Sequence, residues 1–340
     1  MISRRDRPAY RASGLMLGCL ALACTSFAGM RTPVATSEIF AFHNDRQTNL
    51  NDALIATGVE RRFGRDELFR AGPEALCFDA LAPSLQKGWE LAVEFYTEVV
   101  SPSEFGDRQQ YFLRLQLAGM QKSLDDEPLR RYLDVVAGMQ GAAMPAYDAC
   151  RWPLQRERNL TFIEDILPQL EKHESEIAGR LQKLYRKPWP GSRIDVDVVE
   201  TVSWAGANSV FPPDFAGHVL IAAESRGHAS LETVFHEASH GFMFIGDPLR
   251  ADLAVAAEKL GVPRPKGLWH VALFHTTGDT VRQVLLDAGE ADYTPMIYEI
   301  YKRSDWARYR TAFADVWPQV ISGERASGDA AVELLAAIGD

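Results

Sequence analysis

The run HVLIAAESRGHASLETVFHEASHGFMFIGDP, residues 218 to 248, carries the decision about fold. Its first eight residues, His218 to Ser225, read as a strand. SRGHAS then turns the chain into a segment whose apolar residues Val234, Phe235, Ala238 and Phe242 recur at helical spacing. Ser230 is the expected N-cap, and Glu232 in the first turn suits the positive end of the helix dipole. Gly246-Asp247-Pro248 is the expected stop. A strand that feeds a helix in this way predicts a mixed α+β arrangement.

Outward from that run the pattern is predominantly helical. From about residue 47 to 187, stretches such as SLQKGWELAVEFYTEVV and NLTFIEDILPQLEKHESEIAGRLQKLYRK place apolar residues three and four apart. KPWPGS, residues 187 to 192, marks a boundary, and the β-branched, alternating IDVDVVETVSW reads as another strand. AGANSVFPPDFAG between the two strands reads as a turn. After Pro248 the chain is helical again, with breaks at GVPRPKG and GEADYTP. The expected organisation is a signal peptide over 1–28, an N-terminal helical region over 29–190 and a metal-binding catalytic region over 191–340. In the last of these, a small sheet precedes the helix that carries the histidines.

The chemistry rests on HEASH, residues 236 to 240. On a helix, His236 and His240 lie one turn apart, close enough to hold one metal ion. Glu237 sits beside them, where a carboxylate can deprotonate a metal-activated water without being a ligand. With eight histidines in 340 residues, chance alone yields this pattern in roughly one chain per hundred. The alternative is an ordinary helix with two satisfied histidines. The strand-then-helix context favours the metal reading, with Zn²⁺ as the ion.

HEASH and the strand before it, residues 194 to 246, resemble the zincin superfamily of zinc metallopeptidases. The tail, with LWHVALFHTTGD and YTP, is similar to bacterial exported zincin-like proteins. The resemblance implies a zincin-like core, Zn²⁺, a peptide or protein substrate and Glu237 as general base. It also implies that the strand before the motif helix lines the substrate cleft, so HVLIAAES is the expected edge for an extended peptide. Two other readings stay open. One is a non-catalytic zinc-binding or scaffold protein on a degenerate zincin fold, and the other is an amide hydrolase acting on cell-wall fragments.

The third ligand is not set by the motif. His270 is the first choice, because it opens a helix after a Pro-rich turn and Trp269 beside it can fix its orientation by packing. Glu258, His275 and Asp279 are the alternatives, and Asp279 could instead orient a ligand histidine. His270 and His275 are five positions apart, so one ion cannot easily take both. For the oxyanion donor that hydrolysis needs, Tyr293 is chosen over Tyr298 and Tyr301 because it lies in a loop before Pro295. His43 and His173 read as structural or solvated, while His218 and His228 could line the cleft. No phosphate-binding glycine loop and no nucleophile elbow is present.

At the N-terminus, Arg4, Arg5, Arg7 and Arg11 precede the apolar run GLMLGCLALAC and small residues around Ala28, the pattern of a secretory signal peptide. Eleven residues from Gly14 to Cys24 are too few to span a bilayer, so no stable membrane span is expected once the signal is cleaved. A lipid anchor at Cys24 fits poorly, because Ala21 stands where that cleavage box prefers leucine. The expected location is the periplasm or the exterior. Without residues 1 to 28, which carry four arginines and one aspartate, the net charge moves from −10 to −13. That excludes the basic footprint a nucleic acid partner requires. Cys77 and Cys150 remain, free to pair in an oxidising compartment or to stay as separate thiols.

Overall fold

A computed structural model describes residues 31–64, 73–101, 107–120, 124–202, 206–213, 216–302 and 304–339. The expected signal peptide and Cys24 lie outside these residues. The described chain is mostly helical with one mixed sheet, an α+β arrangement.

The sheet contains β1 Ala35–Thr36, β2 Phe40–His43, β3 Ile194–Val199, β4 Ala207–Val210 and β5 His218–Ala222, in the order β1-β2-β3-β5-β4. β2, β3 and β5 are parallel, and the outer strands β1 and β4 run antiparallel to their neighbours. Between β2 and β3 come α1 Arg46–Arg62, α2 Pro73–Asp79, α3 Pro83–Phe95, α4 Arg108–Leu117, α5 Glu127–Cys150 and α6 Trp152–Tyr185. After β5 follow α7 His228–Ser239, α8 Pro248–Leu260, α9 Leu268–Asp287, α10 Ile297–Tyr301, α11 Arg310–Ile321 and α12 Ser327–Gly339.

The alternation of β3 makes the sheet two-faced. Val196 and Val198, with Phe40, Phe42, Val219 and Ile221, face the larger core together with α6, α7 and α9. Asp195 and Asp197 turn the other way. There Asp197, fully buried, accepts from Arg31 at 2.5 Å and lies 2.6 Å from His218 Nε2. Burial alone would raise this carboxyl, but Arg31 and His218 hold it well below the usual carboxylate range. His43 lies 3.0 Å from Asp195 on the same face. His43 and His218 are therefore committed to strand carboxylates, and His218 is a sheet residue rather than part of a cleft wall.

The sheet and the larger core both cross residue 190. β2 pairs with β3 across some 150 positions of sequence, and α6 contributes Phe162, Ile166, Ile177 and Leu181 to the same core as α7 and α9. A second core is built by Leu50, Trp89, Val93, Leu133 and Tyr147 of α1, α3 and α5, with Tyr96 from the π-helical turn that follows α3. Cys77 of α2 and Cys150 at the end of α5 form a disulfide.

Two details differ from the sequence reading. ANSV, read inside a turn, forms β4 on β5, so β5 is an interior strand and β4 is the edge. Four residues with two polar ones carry too little periodicity to announce a strand, and pairing with β5 creates it. The motif helix is also displaced at both ends. Its N-cap is Gly227, at φ 58°, and the Ser230 hydroxyl donates to the Gly227 carbonyl from inside the first turn. Its α-helical part ends at Ser239 and passes into a 3-10 turn over His240–Phe242, well before Asp247-Pro248.

Candidate metal centre

The centre is built where α7 meets α9. Phe235 buries α7, meeting Phe40 edge-on at 5.3 Å and Trp189 at 6.0 Å. That leaves Glu232, His236 and His240, four apart, on the face turned to α9. On α9 the matching row is His270, Phe274 and Gly278. A Cβ at Gly278 would lie 2.7 Å from Glu232 Oε1 and 2.8 Å from Pro295, so only glycine admits this approach.

His270 follows Gly267, whose φ of 80° sets the tight entry into α9. Its ring stacks on Trp269 at 5.0 Å and 14°, and the Arg250 guanidinium lies 4.7 Å from the centre of the Trp269 ring. Phe274 backs two of the histidines at once, 3.8 Å from the His236 ring and 4.9 Å from that of His270. Trp306 closes on His270 edge-on at 5.3 Å. The three imidazole rings are thus held at 5.1, 5.3 and 5.0 Å from one another.

One nitrogen of each histidine lies within 4.8 Å of the other two. His236 Nε2 and His270 Nε2 are 3.2 Å apart. Two legs of a tetrahedral ion at about 2.0 Å would place their nitrogens about 3.3 Å apart, the spacing that this pair shows. Burial also keeps the imidazoles neutral, as a ligand must be. It holds His236 well below its usual value, aided by His240 and His270, and lowers His240 to about 3 and His270 to about 4.

Glu237 is buried beside this triangle. Ser209 of β4 donates to its Oε2 at 2.8 Å, and that oxygen lies 3.9 Å from His240 Nε2. Burial pushes the carboxyl up to about 7, against the Ser209 hydroxyl and the charge of Arg114 on α4. Leu115, next to Arg114, packs with Val210 of β4, so the helical bundle reaches the edge of the site.

The other candidates fall elsewhere. Glu258 is exposed near the end of α8. His275 shares hydrogen bonds with Asp279 and with the Tyr301 hydroxyl, both 2.8 Å, and stacks on Phe313. Asp279 therefore orients His275, not one of the three converging histidines. Tyr293 lies against Glu232 and the His228 ring, toward the start of α7, and so is not placed as a donor at the histidine triangle. Tyr298 and Tyr301 accompany His275. His173 and His228 both face Glu290. Ser209, Arg114 and Phe274 were missed from sequence. Only Phe274 had a readable signal, its i+4 spacing from His270.

Glu232 gives a prediction of its own. It is fully buried, accepts from the Met296 N–H at 3.1 Å, and burial pushes its carboxyl up to about 8 from an ordinary 4.5. Between those values the folded chain holds a proton that the unfolded chain has released. Stability contributed by this group is therefore present below pH 4.5 and lost as pH rises toward 8, at up to about 1.4 kcal/mol per unit. Glu232→Gln, permanently neutral, is expected to match the wild type in thermal melts near about pH 5 and to melt higher above about pH 8. A variant that melts lower at the alkaline end would show that Glu232 is held charged.

No protein-family model, curated protein or solved structure matches this chain.

Proposed function

We propose that the chain is an exported zinc-dependent hydrolase acting on peptides, built on a zincin-like core. The observation that carries this reading is the convergence of three neutral histidines, one nitrogen each, beside a buried glutamate tied to an edge strand. His236, His240 and His270 would hold the ion. When bound, Zn²⁺ supplies Lewis acidity, lowering the pKa of a coordinated water and polarising the scissile carbonyl.

The remaining work belongs to the chain's own groups. Glu237, with a carboxyl near 7, can accept a proton from the attacking water and return it to the leaving amine at neutral pH. Ser209 fixes the carboxylate by donating to Oε2, the oxygen that lies 3.9 Å from His240 Nε2. β4 offers an edge for an extended substrate. Apolar packing of Phe274, Trp269 and Trp306 around the imidazoles keeps the ligands fixed, while His240 and His270 stay partly exposed to solvent.

Export is supported by the basic head and apolar run of residues 1 to 28 and by the Cys77–Cys150 disulfide, which suits an oxidising compartment. Among the described residues no helix is long and apolar enough to cross a membrane.

The test is metal analysis of the purified mature protein beside hydrolysis of a mixed peptide library. About one zinc per chain is expected, with cleavage lost on chelation and restored by zinc. Failure to bind metal after reconstitution, or cleavage indifferent to chelator, would remove the reading.

A further inference from the structure

His270 and Asp279 are nine residues apart on α9, two and a half turns, so they project from opposite sides of the helix. On the side away from the histidine triangle, α6, α9, α10 and α11 surround a cavity of about 560 Å³. That is within the usual range of small-ligand pockets, roughly 300–1,000 Å³. None of His236, Glu237, His240 and His270 lines it.

Its charges are unevenly committed. Arg180 is held by Glu176 at 2.7 Å and by Asp287 at 2.8 Å. Arg282 is held by both oxygens of Asp292, at 2.7 and 3.1 Å. Two opposite charges on the lining remain. Lys183 of α6 makes no ion pair among the described residues. Asp279 of α9 spends one oxygen on His275 Nδ1, 2.8 Å away, and has no Lys or Arg partner within ion-pair distance among the described residues. The His275 ring is in turn tied to Tyr301 and stacked on Phe313 at 4.8 Å, so Asp279 is fixed in place. The rest of the wall is apolar, with Leu184, Phe313 and Ile321 among its residues.

We infer that this cavity binds a small zwitterion with an apolar side chain, an α-amino acid or a short peptide. The ligand's ammonium would meet Asp279, its carboxylate Lys183, and its side chain the apolar wall. Without an ammonium, Asp279 has only the nearby charge of Arg282, which Asp292 already pairs, and without a carboxylate Lys183 has no ion-pair partner among the described residues. The apolar wall offers nothing to a fully hydrophilic ion. This site does not depend on the metal reading, although molecules of this class are what a peptide hydrolase releases.

Because amino acids also chelate zinc, the test uses the full mature chain with His270→Ala, freed of metal by chelator. Calorimetry or NMR titration compares L-phenylalanine and the dipeptide Leu-Phe with N-acetylphenylalanine, which lacks the cation, and phenylalaninamide, which lacks the anion. The zwitterions are expected to bind saturably and each capped analogue about tenfold weaker or worse. Saturation by Leu-Phe with none by phenylalanine assigns the site to peptides, and the reverse assigns it to free amino acids. Asp279→Asn should weaken phenylalanine about tenfold and leave N-acetylphenylalanine unchanged, while Lys183→Met should weaken phenylalanine about tenfold and leave phenylalaninamide unchanged. Lys183 is exposed and Asn can still accept from His275, so both variants should fold, which circular dichroism checks. No saturable binding by either zwitterion, or affinity indifferent to both caps and both substitutions, would overturn the assignment.

Discussion

Glu237→Gln is expected to lower peptide hydrolysis by about 10²- to 10⁴-fold while the metal content stays at the wild-type level. Glutamine has the same shape and keeps a carbonyl oxygen to accept from Ser209, which now lies 2.8 Å from Oε2. What it cannot do is take a proton. Glu237 Oε2 is 3.9 Å from His240 Nε2, so the substitution leaves the three converging nitrogens untouched. Folding should also survive. The site already raises the carboxyl to about 7, so a neutral amide suits the burial at least as well as a carboxylate does. The measurement pairs kcat/KM on a cleaved peptide with elemental analysis of the same preparation. Full activity in the variant would place the general base elsewhere. Loss of metal together with activity would make Glu237 a support for the ligands instead of a proton carrier.

That prediction was reachable from sequence because HEASH compresses its geometry into one helical turn. Spacing of four along a helix places His236 and His240 on one side whatever the rest of the chain does, and the apolar flank with Phe235 says which side is buried. His270 was harder. Its signal is a tight turn before a helix, and the chain does enter α9 through Gly267 in the left-handed region. Tyr293 shows where such reasoning stops. A loop position near Pro295 says nothing about which end of α7 the loop will meet, and it meets the Glu232 end, one turn before His236. Ser209 is the same problem in reverse. Its role depends on β4 pairing with β5, a tertiary event that a short segment with two polar residues does not foreshadow. The sheet crosses the expected boundary at residue 190 for a related reason. β2 has only four residues and finds β3 about 150 positions later, so no local pattern links them. The predominance of helix, by contrast, follows from long periodic segments that keep their character in any packing, and the α+β class from the strand that feeds the motif helix.

His270→Ala is expected to weaken zinc binding by more than about a hundredfold. Even removal of a group that merely orients a ligand typically costs ten- to a hundredfold, and loss of a ligand itself should cost more. Glu258→Ala should leave binding unchanged, since Glu258 is exposed at the far end of α8. The cleanest readout is thermal stability with and without added zinc. Metal that binds only the folded chain stabilises it by about 4 kcal/mol at a thousandfold excess over Kd. The wild type should therefore melt several degrees higher with zinc, and His270→Ala should not respond at the same concentration. Without metal the variant should melt somewhat lower than the wild type, because it loses the packing of the half-buried ring on Trp269, Phe274 and Trp306 as well as the 3.2 Å contact of Nε2 with His236 Nε2, but that loss is the same with and without zinc. A zinc response that persists in His270→Ala would mean that two histidines and some other group suffice. His275 and Asp279 could supply that group only by giving up their bonds to each other and to Tyr301. A response lost in His236→Ala but kept in His270→Ala would therefore point to Glu237 entering the coordination sphere, and the separation of base from ligands argued for Glu237→Gln would fail with it.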